Sequence, residues 1–250
     1  MIPLLEPEWA APAGVRAAFS LRSGGASSPP WDTLNLGVHV GDDPAAVAEN
    51  RRRLANALRL PGEPVWLDQV HGHAVFDLDR AGRPAPGLRP RADAIVTRQA
   101  AAVLAIQVAD CLPVLLASDD GQVLGAAHAG WRGLAAGVLE ATVEAMRVAP
   151  AELAVWLGPC IGSASFEVGE EVRTAFLEVQ PDAAAAFTPN SRGRWQCDLT
   201  ALARARLAAL GISRVAGGAW CTAADPVRFF LHRRDQRTGR MAALLWREQC

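Results

Sequence analysis

The stretch Cys111–Gly133, CLPVLLASDDGQVLGAAHAGWRG, decides how the chain folds. Two short apolar runs flank Asp119-Asp120-Gly121, a turn signal of the kind that joins antiparallel neighbours. Neither run alternates polar with apolar, so each reads as a strand covered on both faces. The reading is a buried hairpin with a thiol, Cys111, at its entrance and an imidazole, His128, near its exit. That thiol could be a packing residue, a nucleophile or a metal ligand.

Downstream, WRGLAAGVLEATVEAMRVA (131–149) reads as one helix and AELAVWLGPCIG (151–162) as a strand entering a turn. VGEEVRTAFLEVQ (168–180) and LTALARARLAALGI (199–212) are further helices, the second stopped by Gly211. RVAGGAWCT (214–222) and VRFFLHRR (227–234) read as strands, and MAALLWRE (241–248) follows a turn at Gly239. Upstream, DPAAVAENRRRLANALRL (43–60) has Asp43 as N-cap and Pro44 at the first helical position. PVWLDQVHGHAVFDLD (64–79) suits a strand or hairpin, and the Pro/Gly/Arg-rich DRAGRPAPGLRPRAD (79–93) reads as a surface loop. Strands and helices mix without a regular βαβ rhythm. The expected fold is α+β, one domain over residues 1–250, with mixed β-sheets flanked by helices.

The 250 residues carry a formal net charge of -1 and are 50% hydrophobic, which gives no electrostatic bias toward nucleic acid or an anionic membrane. The N-terminal sequence lacks signal-peptide features and no run is apolar over a membrane-spanning length, so a cytoplasmic protein is expected. No obligate protein partner is evident. Five scattered cysteines, Cys111, Cys160, Cys197, Cys221 and Cys250, argue for reduced thiols over a disulfide framework. No glycine-rich dinucleotide loop or Walker motif is present, and the absence of Tyr excludes phenolic acid–base catalysis.

His71 in DQVHGH, Cys111 in VADCLP and His128 in AAHAGWRG each stand where an apolar run meets small or turn residues. Most cysteines on apolar runs are packing residues and most lone histidines are hydrogen-bonded structural ones. No C-x-x-C or H-E-x-x-H spacing fixes these three locally, so the residues by themselves leave the alternatives open.

FSLRSGG, LNLGVHVGDDPAAVAENRRRL, DQVHG, ADCLPVLLA, AAHAGWRGLAAGV, GPCIGSASFEVG and RRDQRTGRMAALL follow one another from Phe19 to Leu245. Together they closely resemble the YfiH family, also called laccase-domain or peptidoglycan editing factor proteins. The resemblance implies a layered α/β sandwich and a zinc-type site of two histidines and one cysteine at His71, Cys111 and His128. Three such ligands leave tetrahedral zinc one open position, the mark of a catalytic site. It also implies phosphorolysis of adenosine, inosine, guanosine and S-methyl-5′-thioadenosine, with adenosine deamination second: a transferase and a hydrolase in one pocket. Purine nucleosides and inorganic phosphate are then the binding partners.

Asp110 is the candidate general base or orienting residue, with a solvated turn carboxylate as its plain reading. Arg22 in SLRSGG and Arg233 beside Arg234, Arg237 and Arg240 are candidate phosphate ligands. Asn35 in LNLG could offer an amide to base or ribose, and Glu167 in FEVG could act as an acid. His232 and Cys160 are weaker candidates, and Trp131 could stack on a purine. Two other enzyme readings follow from the family's names. One is a copper polyphenol oxidase, for which a multicopper centre needs more imidazoles than the five His supply, leaving copper chemistry as an in vitro side reaction. The other is a hydrolase of peptidoglycan precursors with Cys111 as nucleophile and His128 as base.

Overall fold

The computed structural model describes residues 2–248; Cys250 lies outside the described residues. Two large sheets stack face to face. The first has five strands in the order Leu4–Leu5, Val15–Ser20, Met241–Arg247, Val103–Val108 and Pro64–Val65. The second has six, in the order Arg214–Gly217, Leu153–Leu157, Leu112–Ser118, Leu124–Ala129, Ala94–Thr97 and Val75–Asp77. Most neighbours are antiparallel, but Pro64–Val65, Arg214–Gly217 and Val75–Asp77 each join in parallel, so both sheets are mixed. A three-stranded sheet, Glu167–Val168, Trp195–Cys197 and Phe187–Pro189, stands apart.

The two-residue period of a strand explains the layering. Leu115 and Ala117 point between the sheets, where Phe19, Leu104, Ile106, Leu245 and Trp156 meet them. Leu112, Val114 and Leu116 point the other way, onto Leu139 and Val143 of the helix Val138–Met146 and Leu202 and Leu207 of Leu199–Ala209. On the far side of the first sheet, Val103, Ala105, Leu244 and Trp246 pack with Leu54 of the helix Pro44–Leu58. The order is helix, sheet, sheet, helix, an α+β sandwich in which the central strands are covered twice. That double covering is why their sequences run apolar without alternation. The helix Pro44–Leu58 starts as its sequence indicates, with the Asp43 side chain accepting from the Ala45 N–H.

Four stretches fold otherwise than their sequences suggest. Residues 64–79 form no hairpin: Pro64–Val65 joins one sheet, Val75–Asp77 the other, and the segment between crosses from sheet to sheet. The helix expected over 131–149 is two, Trp131–Ala135 and Val138–Met146, because Gly137 takes φ +90° and breaks the run. Residues 227–234 are not a strand; Phe229 and Phe230 are fully buried ahead of a short helix, His232–Asp235. The surface loop 79–93 opens within the helical turn Leu78–Ala81 and closes on Asp93, which is 0% exposed. No helix among the described residues is long and apolar enough to cross a membrane.

Leu115 sits between the sheets, opposite Ala126 on one neighbouring strand and Trp156 on the other. Leu115→Ala is expected to cost about 2–5 kcal/mol through lost burial and the cavity left behind, read as a lower urea midpoint. An unchanged midpoint would contradict this packing.

Candidate metal centre

Hairpin register brings the thiol and the imidazole together. Leu112 pairs with Ala129 and Pro113 with His128, so Cys111, one residue before the strand, falls opposite Gly130. A Cβ at position 130 would stand 2.8 Å from Cys111 Sγ and 3.3 Å from His71 Cδ2. Only glycine lets the strand end pass this close to both side chains.

His71 arrives from the crossing segment. Its φ is +61°, left-handed backbone that a non-glycine residue rarely adopts. Asp93 holds it there. Asp93 Oδ2 accepts from the N–H groups of Val70 (3.1 Å) and Gly72 (2.7 Å), and Oδ1 accepts from His71 N–H at 2.9 Å. The left-handed residue turns three successive N–H groups onto one anion, the geometry of a backbone nest. The same Oδ1 lies 2.8 Å from His128 Nδ1. A carboxylate only accepts, so Nδ1 carries a proton, and Nε2 is the nitrogen that could ligate a metal ion in place of its own proton. His71 and His128 stand edge to face with ring centroids 4.8 Å apart. The donor atoms of His71, Cys111 and His128 all lie within 4.8 Å of one another, and no other group of three such donors occurs among the described residues.

Burial alone would raise the Asp93 carboxyl, but His128 and the backbone donors hold it below the ordinary carboxylate range. Burial likewise opposes ionisation of Cys111, yet the charge of His128 and hydrogen bonds with both imidazoles bring the thiol down to about 6. His128 moves the other way: burial disfavours its charged form, but Cys111 and Asp93 carry it up to about 9. The pocket is built to keep a thiolate beside a positive charge, and a divalent cation would take the place of the proton. Burial pushes the Asp110 carboxyl up to about 7, with the Cys111 charge adding to the effect. Backbone N–H groups of His232 and Arg233 donate to its two oxygens at 2.9 and 3.0 Å.

The three donors open into a cavity of about 360 Å³, also lined by Asp110, Arg132, Arg240, His39, His232 and Gln107. Three residues read from the sequence as ligand contacts, Arg22, Asn35 and Arg233, and one read as an acid, Glu167, do not line it, and each has other work. The Arg22 guanidinium donates to the carbonyls of Asp32 and Pro226 and lies over Phe230. Asn35 is fully buried; its Oδ1 accepts from the N–H groups of Gly37 and Arg240. Glu167 carries its carboxylate toward Asn190, Arg192 and Arg194. Arg233 donates to the Glu167 carbonyl and lies over Phe166. Of that cluster Arg240 lines the cavity, its backbone held by Asn35 and its Nη1 donating to the Thr238 and Gly239 carbonyls. Trp131 does not line the cavity either: Arg132 covers its ring at 4.4 Å. His73 is exposed and outside the donor group, and Cys160 is buried in the helix-side core. Asp93, Arg132 and His39 were not identified as site residues from sequence. For Arg132 the signal was its place four residues after His128, directly beyond the strand end.

A double-layered sandwich with soft donors converging in a hollow of small-molecule size defines an enzyme-type pocket whose His71, Cys111 and His128 could hold a metal ion. A family model described as multi-copper polyphenol oxidoreductase laccase matches residues 16–248, and the chain belongs to that family. A Pseudomonas aeruginosa protein named purine nucleoside phosphorylase is 52% identical over 243 residues, 97% of each chain. An Escherichia coli protein named purine nucleoside phosphorylase YfiH is 48% identical over 246 residues, covering 98% of this chain and 99% of its own. Among solved structures, a Neisseria meningitidis protein superposes with TM-score 0.93 at 43% identity, covering 98% of this chain and 99% of its own. YlmD from Geobacillus stearothermophilus gives 0.88 at 32% identity, covering 99% and 100%.

Asp93→Asn replaces one acceptor oxygen by an N–H₂ group that must face backbone donors. Metal affinity, measured by competition with a chromophoric chelator, is expected to fall about 10–100-fold. Unaltered affinity would show that Asp93 does not orient the donors.

Proposed function

We propose that the chain is a zinc-dependent purine nucleoside phosphorylase acting on adenosine, inosine, guanosine and S-methyl-5′-thioadenosine, with adenosine deamination as a second activity of the same pocket. The observation that carries this reading is the shared cavity: the His71, Cys111 and His128 donor group, Asp110, Arg132 and Arg240 line one hollow of about 360 Å³. That volume suits a single small ligand. The names of the Pseudomonas and Escherichia relatives support the same reaction class.

Phosphorolysis asks the site to hold an anion and to favour the departing base. Arg132 and Arg240 have no carboxylate partner among the described residues; Arg240 Nη1 donates to the Thr238 and Gly239 carbonyls, and the remaining N–H groups of the two would meet phosphate oxygens. Asp110, fixed by two backbone N–H groups, would give a proton to the leaving base or take one from water in deamination. His71, Cys111 and His128 would hold the zinc ion, with Asp93 fixing the tautomer of His128. When bound, zinc supplies a Lewis acid beside the reacting centre. Copper remains a ligand-compatible ion for in vitro loading, but the single donor group found among the described residues falls short of a multicopper centre.

With inosine and phosphate, the expected products are ribose 1-phosphate and hypoxanthine; with adenosine, inosine and ammonia also appear. His128→Ala is expected to lower both activities by at least about 100-fold, because one ligand set serves both. Survival of either activity would break the single-site account.

One observation favours a second reading. Cys111, His128 and Asp93 are also placed as nucleophile, base and orienting carboxylate, the row a hydrolase of peptidoglycan precursors would use. Thiol alkylation separates the two. A ligating Cys111 is shielded until a chelator strips the ion, so labelling should rise sharply on chelation; equal labelling with and without chelator would favour the nucleophile.

A further inference from the structure

Beside the metal cavity lies a smaller hollow that the proposed reaction leaves unused. It is a cleft of about 150 Å³ whose walls include Arg51, Glu63, Trp66, Arg83 and Arg89. It adjoins the cavity at the Val38–His39 dipeptide, since Val38 lines the cleft and His39 lines the cavity. The charges reach across the same boundary. Burial lowers the His39 imidazole, and Arg240 from the cavity side and Arg89 and Arg51 from the cleft side lower it further.

The donors of this cleft outnumber its acceptors. Arg51 stacks 4.0 Å from the Trp66 ring and donates only to the Leu36 carbonyl, through Nε and Nη2. Arg83 reaches the Glu63 carbonyl. Neither these two nor Arg89 forms an ion pair among the described residues. Arg89 Nη1 is buried without a partner, and so is the Nε1 of Trp66, a side chain only 6% exposed. A buried N–H without an acceptor is a costly state, and it occurs here at two side chains lining one cleft. Three guanidiniums stand against one carboxylate, Glu63, and like charges so gathered call for an anion between them. The cleft shares Val38, Arg51, Glu63, Pro64 and Trp66 with a larger neighbouring groove, and by itself it has room only for a compact group. Guanidinium forks match the oxygens of a tetrahedral phosphate.

We infer that the cleft is a phosphate subsite adjoining the metal cavity, taking either the phosphate of a 5′-nucleotide whose nucleoside enters the cavity or free inorganic phosphate. The nucleotide source rests on the nucleoside reading of the cavity; the anion site does not.

The test titrates the full-length, metal-analysed chain calorimetrically with inorganic phosphate, adenosine and adenosine 5′-monophosphate, beside Arg89→Gln and Arg83→Gln. A nucleotide source predicts that the monophosphate binds at least about tenfold tighter than adenosine and that both variants erase the margin. A free-phosphate source predicts no such margin, but inorganic phosphate binding that weakens about tenfold in both variants. Arg83 is exposed, so Arg83→Gln reports even where Arg89→Gln fails to fold. Absence of phosphate and monophosphate binding in the wild type, or affinities that the variants leave unchanged, overturns the inference. The readout is binding, so a chain that binds phosphate without phosphorolysis would sink the phosphorylase reading and leave this one standing.

Discussion

A single buried carboxylate governs the site. Asp93 is fully enclosed, and an enclosed charge is tolerable only when its oxygens are fully engaged. Its four contacts are the three successive N–H groups of residues 70–72 and the ring of His128. One anion therefore bends the crossing segment so that His71 faces the cavity and at the same time fixes which nitrogen of His128 is free. The Asp93 backbone is held as well, its carbonyl accepting from His128 N–H at 2.7 Å. Remove that charge and the two imidazoles lose their common reference.

The sandwich supplies the third donor by a different route. Because the strands Leu112–Ser118 and Leu124–Ala129 pair from end to end, residues far apart in sequence return to the same sheet edge. Cys111 and His128 meet there without any local motif, and Gly130 leaves room for the sulfur. The rest of the cavity is assembled from the loops that the layered fold delivers to that edge: Asp110 fastened by the helix start at His232, and Arg240 positioned by Asn35.

How much of this was legible in the sequence depended on whether the signal was local. The hairpin, the Asp43-capped helix and the α+β class are written in periodicity and turn residues, and the layered sandwich and the His71, Cys111 and His128 motifs could be read from resemblance. Asp93 could not. It ends a run of Pro, Gly and Arg with the composition of a solvated loop, and its burial is set by residues 70–72 and 128, distant in the chain. The 64–79 stretch misled for the same reason, since its backbone donors go to that carboxylate and not to a neighbouring strand. Among the clustered arginines, composition shows a basic segment but not which side chain turns inward. The helical turn His232–Asp235 sends Arg233 to the Glu167 carbonyl, while the strand that follows leads from Arg240 at the cavity wall.

The central claim is that a sulfur and two imidazoles share one ion in a field fixed by Asp93. Metal K-edge X-ray absorption on the purified chain examines that ligand shell directly. The account predicts one sulfur at about 2.3 Å and two imidazole nitrogens at about 2.0–2.1 Å, with a lighter atom completing the shell. A shell of nitrogen and oxygen with no sulfur would contradict it.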